Sequence, residues 1–323
     1  LRGAGYSPGI TGKWGLGEPM TEGTPNRQGF DEWFGYLNQR RAHSFYPTYI
    51  WLNEGRFDLP GNADGKKQQY THDLFTGFAL SFIRKNQDKP FFLYLPYTVP
   101  HAQFEIPDLD PYENKGWPKQ AKVYAAMITR MDDHIGKIMA LLKELLIDKK
   151  TIVFFCSDNG AANRYDGLFD SSGPLRGAKR AMYEGGLRTP MIARWPGRIP
   201  VNTTSEAIWS FADFLPTVAA LAGAKAPKGL DGISVLPELL GQAQKSNDRF
   251  FYWEFFERGF QQAARWGNWK VVRPKKEAGL ELYNLAKDIG EKKDVADLNP
   301  EIVSIFERFL KTARTESKDW PIK

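Results

Sequence analysis

Two uninterrupted apolar stretches, each preceded by an amphipathic segment, constrain the fold of this chain most. Phe91–Leu95 and Thr151–Cys156 lack the polar alternation of a half-exposed strand, which predicts buried parallel strands. Residues 71–86 and 121–146 place their apolar side chains at helical spacing. Because a helix followed by a strand occurs twice, we predict an α/β fold built on a parallel sheet.

The sequence changes in character on both sides of this region. The first 65 residues are rich in Gly, Pro, Asn and aromatic residues and predict long ordered loops of the kind that surround functional sites. A short strand over 191–193 and a helix over 211–221 continue the α/β pattern. Beyond about Ser246, alternating aromatic-rich segments predict antiparallel strands, followed by a helix that begins at Pro300.

These patterns predict two domains. The α/β domain covers residues 1–245, and a smaller antiparallel-sheet-plus-helix subdomain covers residues 246–323. No apolar run reaches the roughly 18 residues of a bilayer-spanning helix, so no membrane span is expected. The 44 Lys and Arg and 38 Asp and Glu are mixed rather than clustered in runs, so no nucleic-acid partner is expected. Nothing in the pattern indicates an oligomeric state.

Polar residues follow both apolar runs, at the strand ends where ligands collect in parallel sheets. Asp158 and Asn159 provide a carboxylate and an amide oxygen, which suit a hard cation such as Ca²⁺, although these residues by themselves favour a simple Asp-Asn-Gly turn. His101 follows the other run between two prolines, where it could give a proton to a leaving group or cap a loop. The single Cys excludes a four-thiolate zinc site, so any metal must be held by oxygen or nitrogen ligands.

Two lysines lie in glycine-rich segments. Lys13 stands between glycines beside Trp14, and Lys179 belongs to a segment that also contains a Gly-Gly pair. Glycine flanks allow an ammonium group to approach a ligand closely, although such lysines are also common in ordinary loops. Together with His101 and the Asp-Asn pair, these lysines would provide what a tetrahedral oxyanion needs.

Taken together, these segments resemble the sulfatase family of the alkaline-phosphatase-like superfamily. The matching motifs occur in the order of the family: GKWGLG (12–17), QGFDEWFGY (28–36), Pro100-His101, FFCSDNG (154–160) and GAKRAMYEGGLRTPMIARWPG (177–197). The segment ELYNLAKD, which begins at Glu281, resembles part of the C-terminal subdomain of the family. The resemblance implies a mixed, mostly parallel sheet sandwiched by helices, and hydrolysis of sulfate esters.

The same resemblance assigns roles to individual residues. It implies that Asp158 and Asn159 are two ligands of one Ca²⁺ ion, and that Lys13 and Lys179 bind oxygens of the sulfate group. His101 corresponds to the residue beside the leaving oxygen. This assignment is chemically coherent, since cations stabilise the charge that spreads over the sulfuryl oxygens in the transition state. In the same motif, we expect Glu184 and Arg188 to brace the loop through an ion pair.

The chain departs from the family pattern at two places. Many members have a His two residues after the motif Lys, where this chain has Gly15. We hypothesise that His43 fills that role, the alternative being that it is a loop or substrate-pocket residue. The family nucleophile is a formylglycine made from Cys or Ser in a C/S-x-P-x-R motif upstream of GKW, and residues 1–11 contain no such motif. Because Cys156 lacks the following Pro and Arg, we expect it to be a core residue and the chain alone to be inactive, with the nucleophile upstream of residue 1.

Aromatic residues in the early loops favour a ring-shaped substrate, either a sulfated carbohydrate or an aryl sulfate, the alternative being that they pack against one another in a loop-rich region. The residues concerned are Trp14, Trp33, Tyr36, Phe45, Tyr46 and Trp51. Two other functions stay open, namely a phosphate or phosphonate ester hydrolase of the same superfamily and a catalytically inactive homologue that binds glycans. Export to the periplasm or the exterior is expected from the resemblance, because related sulfatases often act on external glycans.

Overall fold

The computed structural model of the chain describes residues 1–101, 103–165, 167–242, 249–257, 259–319 and 321. The chain forms two compact units, which are described separately below. The first unit consists of Leu1–Ile152 with Val218–Pro227, and the second of Val153–Thr217 with Lys228–Lys323. The domain boundary predicted between residues 245 and 246 lies outside the described residues.

A five-stranded mixed sheet forms the centre of the first unit. Its strands are β1 (Ser7–Lys13), β2 (Glu32–Tyr36), β3 (Tyr49–Leu52), β4 (Gly55–Asp58) and β5 (Phe91–Tyr94), in the order β4-β3-β2-β1-β5. β1 is parallel to both β2 and β5, whereas β2–β3 and β3–β4 are antiparallel pairs. The prediction that the first 65 residues are loops is therefore wrong, because four of these strands lie within them.

Two long helices accompany this sheet, α1 (Thr71–Lys85) and α2 (Lys119–Glu144). Phe75 of α1 is fully buried and packs with Phe34, Tyr36 and Ile50 from the sheet. Both helices lie within two residues of their predicted bounds, because their apolar residues follow the helical period.

The second unit contains two separate sheets. Its elements are β6 (Val153–Cys156), α3 (Glu184–Leu187), β7 (Met191–Arg194), the first half of α4 (Phe214–Leu221), α5 (Leu236–Leu239), β8 (Phe250–Phe255), β9 (Gln261–Trp266), β10 (Trp269–Arg273), β11 (Glu281–Asn284) and α6 (Pro300–Leu310). The residues of α4 from Val218 on belong to the first unit. The strands β8 to β11 form an antiparallel sheet in the order β11-β10-β9-β8. Phe306 of α6 is fully buried against Ala264, Val271 and Leu282 of this sheet.

The smaller sheet corrects one prediction. β6 pairs with β7 in antiparallel orientation, not in parallel as its apolar sequence suggested. An uninterrupted apolar run does not determine the direction of the neighbouring strand. The predicted burial is also wrong, since the residues of β5 and β6 are half-buried or exposed. Cys156 at the end of β6 is exposed, so the expectation of a core residue is also wrong. The overall prediction of an α/β fold with a mixed sheet and a C-terminal antiparallel sheet is confirmed.

Within the described ranges, none of the helices combines the length and apolar character that a bilayer span requires.

Candidate active site

One group of candidate residues, in the first unit, lies where β1, β2 and β5 end. Lys13 is the last residue of β1 and is paired in register with Tyr36, the last residue of β2. The backbone N–H of Lys13 donates to the carbonyl of Pro96, in the segment that follows β5. Gly12 has φ +135°, and a Cβ there would collide with the same Pro96 carbonyl, so only glycine permits this close approach.

Two histidines meet at this edge of the sheet. His43 belongs to a short 3₁₀ turn, Arg41–His43, in the connection after β2, and His101 lies in the segment after β5. Their imidazole rings are stacked, with ring centroids 4.8 Å apart and 14° between the planes. Both side chains are exposed, and the N–H of Gln103 donates to the His43 carbonyl. The structure thus brings together two of the predicted site residues. They come from the segments after β2 and β5, the two strands that flank β1, and β1 carries Lys13.

The conformation of Gly15 explains why no histidine occupies its position. Gly15 has φ +83°, which side chains rarely adopt, and a Cβ there would lie 2.9 Å from Nε2 of Gln39. Its N–H donates to the carbonyl of Leu37 at 3.0 Å, so the two connections after β1 and β2 are bonded side by side. His43 lies six residues further along the second of these connections.

A separate group of candidate residues lies in the second unit. Asp158 is exposed and Asn159 is half-buried in the bend that follows β6. The N–H of Gly160 donates to Gly186, and the N–H of Lys179 donates to Ala161 at 2.8 Å. A Cβ on Gly160 would collide with the Gly185 carbonyl, so glycine is required where the two segments touch. The Asp-Asn bend and the Lys179 loop are therefore joined by their backbones.

The predicted calcium site can be tested against the donor set. Ca²⁺ takes about six to eight oxygen ligands, and Asp158 with Asn159 supplies fewer. Among the described residues, no three His, Cys, Asp or Glu side chains come together in a way that could hold a metal ion. These residues do not by themselves form a complete calcium site, and no chemical step is assigned to the ion.

A buried cluster of ion pairs holds Glu184, in the segment that also contains Lys179. The sequence predicted only part of this cluster. The expected ion pair between Arg188 and Glu184 is present, with N and O atoms 2.9 Å apart. The sequence did not predict Lys270, whose ammonium lies 2.9 Å from Glu184 and 2.8 Å from Glu291. Arg265 is the cross-strand neighbour of Lys270 and approaches Glu184 to 3.3 Å. The cluster joins α3 to the C-terminal sheet.

The pKa values of the two carboxylates in this cluster are shifted in opposite directions. Burial disfavours the charged form of Glu184, but attraction to Lys270 and the two arginines prevails and holds its pKa below the usual range. For Glu291, burial outweighs the attraction of Lys270 and raises the pKa. The N–H of Glu184 donates to Glu291 at 2.7 Å, which ties the two segments together.

The pattern S-x-P-x-R, which the family uses for its nucleophile, occurs once in the chain, at residues 172–176, downstream of the GKW motif. This segment forms a turn, in which the N–H of Leu175 donates to the Ser172 carbonyl. The Arg176 guanidinium donates to the hydroxyl of Tyr283 and the carbonyl of Glu291, both at 2.8 Å. Its arginine is thus bound to the C-terminal sheet.

The structure does not favour Cys156 as a nucleophile either. Partial burial and the negative charge of Asp158 raise the pKa of the Cys156 thiol, so its thiolate is disfavoured.

The aromatic residues that the sequence suggested for ring binding fall into two groups. Trp33, Tyr36 and Phe45 are fully buried and pack in the core, so the suggestion is wrong for these three. Tyr46 and Trp51 are half-buried and line an open groove in the first unit. Trp14 is half-buried, and its indole N–H donates to the Gly23 carbonyl at 2.7 Å.

Comparison with known proteins agrees with this arrangement. The family model named Sulfatase matches residues 1–224, and the model named N-sulphoglucosamine sulphohydrolase, C-terminal, matches residues 177–317. The N-acetylgalactosamine-6-sulfatase of Canis lupus familiaris is 30% identical over 360 aligned residues, which cover 98% of this chain and 67% of that protein. The N-acetylgalactosamine-6-sulfatase of Sus scrofa is 36% identical over 271 residues, which cover 78% of this chain and 50% of that protein.

A solved structure shows the same fold over the whole chain. The crystal structure of Ps i-CgsB in complex with k-i-k-neocarrahexaose matches with a TM-score of 0.83 and 27% identity, covering 100% of this chain and 75% of that chain. The Sulfatase model covers both groups of candidate residues in the sequence, from the GKW motif to the Lys179 loop. The chain belongs to the sulfatase family.

Proposed function

We propose that this chain takes part in the hydrolysis of a sulfate ester of a carbohydrate. The observation that carries the proposal is the stacked pair of His43 and His101 at the sheet edge where Lys13 ends β1, in a chain of the sulfatase family. The related proteins of dog and pig are named as N-acetylgalactosamine-6-sulfatases, and the solved neighbour holds neocarrahexaose. These names support a sulfated sugar as the substrate.

The residues have separate tasks in this proposal. The ammonium groups of Lys13 and Lys179 bind sulfate oxygens, on which negative charge accumulates as the sulfur–oxygen bond breaks. His101 gives a proton to the sugar oxygen that leaves, and His43 assists the proton transfers as the substitute for the histidine that position 15 cannot hold. Asp158 and Asn159 are proposed as two ligands of a calcium ion, which when bound would supply further positive charge.

In this proposal no residue of the chain is the nucleophile. We therefore propose that the chain alone does not hydrolyse sulfate esters. The absence of a C/S-x-P-x-R motif ahead of Lys13 and the raised pKa of Cys156 support this part. Mass spectrometry should find Ser172 unmodified, since its motif partner Arg176 is bound to Tyr283 and Glu291. Location outside the cytoplasm stays a prediction.

Binding tests the proposal directly. Titration with N-acetylgalactosamine 6-sulfate should shift the imidazole ¹⁵N resonances of His43 and His101, while the unsulfated sugar should not. Loss of a charged hydrogen bond costs about 1.5–3 kcal/mol, so Lys13→Ala should weaken binding about tenfold or more. Lys66→Ala, an exposed lysine of the same unit, is the matched control and should change nothing.

Three results would contradict the proposal. Equal binding of the unsulfated sugar, independent of Lys13, would indicate a glycan-binding homologue without enzymatic function. Tighter binding of the corresponding 6-phosphate would favour a phosphate ester hydrolase. Release of inorganic sulfate by the purified chain would show that it contains its own nucleophile.

A further inference from the structure

An open groove in the first unit is not used by the proposed reaction. Its volume is about 540 Å³. The connection after β2 supplies one wall, and β3 with the segment before it supplies the other. The side chains that give it its chemical character are Arg40, Arg41, Tyr46, Tyr49 and Trp51.

The groove carries positive charge that is not neutralised by ion pairs. In the part of the chain that the structure describes, neither Arg40 nor Arg41 has a carboxylate within ion-pair distance. Glu18 is the one carboxylate among the described lining residues, and it accepts a hydrogen bond from Asn38 at 3.2 Å. Two guanidinium groups against one carboxylate leave a net positive groove, suited to a planar or tetrahedral oxyanion.

The groove also offers aromatic faces. Tyr46, Tyr49 and Trp51 are half-buried, so part of each ring is accessible to a ligand. The Arg41 guanidinium lies 3.7 Å from the centroid of the Tyr49 ring, which fixes its position beside that ring. A cavity that combines aromatic faces with a few placed cations binds ring-shaped anionic ligands, because the rings bury the apolar face of the ligand while the cations select its charge.

The backbone links the groove to the candidate residues at the ends of β1 and β2. Leu37 lines the groove and accepts the N–H of Gly15, two residues after Lys13. Arg41 and His43 belong to the same 3₁₀ turn. A ligand that occupies the groove therefore lies on the chain segment that also presents a proposed catalytic histidine.

The geometry points to a second sugar site, in which Arg40 and Arg41 bind the anionic group of a neighbouring residue of the glycan while its ring lies against Trp51. This inference rests on the proposed function, since it assumes that the reacting sulfate lies at Lys13. It makes the chain selective for a sulfated oligosaccharide over a sulfated monosaccharide.

Affinity as a function of chain length tests the inference. We would measure dissociation constants of the full chain for N-acetylgalactosamine 6-sulfate and for a tetrasaccharide of alternating glucuronate and N-acetylgalactosamine 6-sulfate. The tetrasaccharide should bind at least tenfold more tightly. The double variant R40Q/R41Q should abolish that advantage and leave the monosaccharide affinity within twofold, and W51A should reduce the advantage in part.

A matched control is available on the same tyrosine. The Arg56 guanidinium also lies over the Tyr49 ring, at 4.0 Å, but Arg56 does not belong to the groove lining among the described residues. R56Q removes one positive charge beside the same tyrosine. It should leave the affinities for the monosaccharide and the tetrasaccharide unchanged. Circular dichroism and amide exchange would verify that each variant is folded.

The outcomes separate the two ideas. Equal affinity for both sugars would overturn the second sugar site and leave the proposed function intact. The same would follow if R56Q lost as much tetrasaccharide affinity as R40Q/R41Q. Tetrasaccharide binding that depends on Arg40 and Arg41, with no detectable monosaccharide binding, overturns the proposed function and leaves the groove. Equal competition by a single-stranded oligonucleotide of the same charge would show a general polyanion surface and overturn the selectivity for sugars.

Discussion

The ammonium group of Lys270 lies 2.8 Å from the Glu291 carboxylate, and both side chains are fully buried. Removing one partner of a buried ion pair leaves an uncompensated charge, which costs about 3–5 kcal/mol. We therefore expect Lys270→Met to destabilise the second unit by about that amount. Amide exchange of β9 and β10 would measure the loss, and Lys287→Met, at an exposed site, should stay within about 0.5 kcal/mol of the wild type.

The double variant K270M/E291Q sharpens this test. If the cost of K270M comes from the unpaired charge on its partners, then neutralising Glu291 should recover part of it. A K270M cost that E291Q leaves unchanged would mean that packing, and not charge, accounts for the loss.

Acidification should destabilise the first unit through His72. This residue of α1 is fully buried, its ring stacks on His134 of α2 at 4.9 Å, and neither of its nitrogens has a hydrogen-bond partner among the described residues. Burial, together with the charge of His134, lowers the pKa of His72 to about 3. An unfolded His binds a proton near pH 6.5, so stability is fully present above that pH and falls as the pH drops towards 3.

The expected slope for one such group is about 1.4 kcal/mol per pH unit below about pH 6. Asp73 and Arg130 also face this histidine pair, with opposite effects on its charge. His72→Phe keeps a ring and removes the titration, so the slope measured by exchange of the α1 amides should decrease. Phe75→Leu should lower the stability at every pH without altering the slope. An unchanged slope in His72→Phe would refute the assignment.

A methyl group at position 160 should loosen the loop that carries Lys179. A Cβ there would collide with the backbone of Gly185, which cannot move away as a flexible side chain could. We expect Gly160→Ala to cost about 1–3 kcal/mol or more and to increase amide exchange in residues 177–188. Gly136→Ala is the control, since no atom lies within 4 Å of that Cβ on α2 and alanine should stabilise the helix by about 0.5–1 kcal/mol.

The stacked pair of His43 and His101 predicts a catalytic effect. In a form of the enzyme that turns over aryl sulfates, His43→Ala should slow turnover by about 10²–10⁴-fold, which is the range for loss of a proton-transfer group. His43→Phe retains a ring against His101 but cannot transfer a proton, so it should be equally slow. An unaltered rate in His43→Ala would make His43 a loop residue.

The sequence predicted elements well where one period dominates and poorly where close backbone contacts decide. The helices α1 and α2 follow from their apolar stripes, and β9 to β11 from their alternation. The strands β1 and β2 were missed because their glycines serve backbone contacts and dilute the apolar pattern. A Cβ on Gly35, for example, would collide with the Gly12 carbonyl, and a Cβ on Gly12 would collide with the Pro96 carbonyl.

The candidate site was only partly accessible for a related reason. The motifs suggested Lys13, His101, Asp158, Asn159 and Lys179, and these roles stay predictions. Nothing in the sequence near Lys270 reveals that Glu184 and Glu291 surround it. Partners that lie 86 residues apart in the chain, as Lys270 and Glu184 do, leave no periodic trace. The stack of His43 on His101 was likewise beyond prediction, although the absence of a His at position 15 drew attention to His43.

The position of β5 at the end of its sheet has a practical consequence for the isolated chain. It is the last strand in the order of the described sheet, and its four residues, Phe91–Tyr94, are all apolar or aromatic and are partly or largely accessible. Edge strands usually carry a charge, a proline or a bulge that prevents another strand from adding to them, and this strand has no such residue. Preparations of the chain should therefore be prone to self-association that increases with concentration, and a lysine at Phe92 should improve solubility.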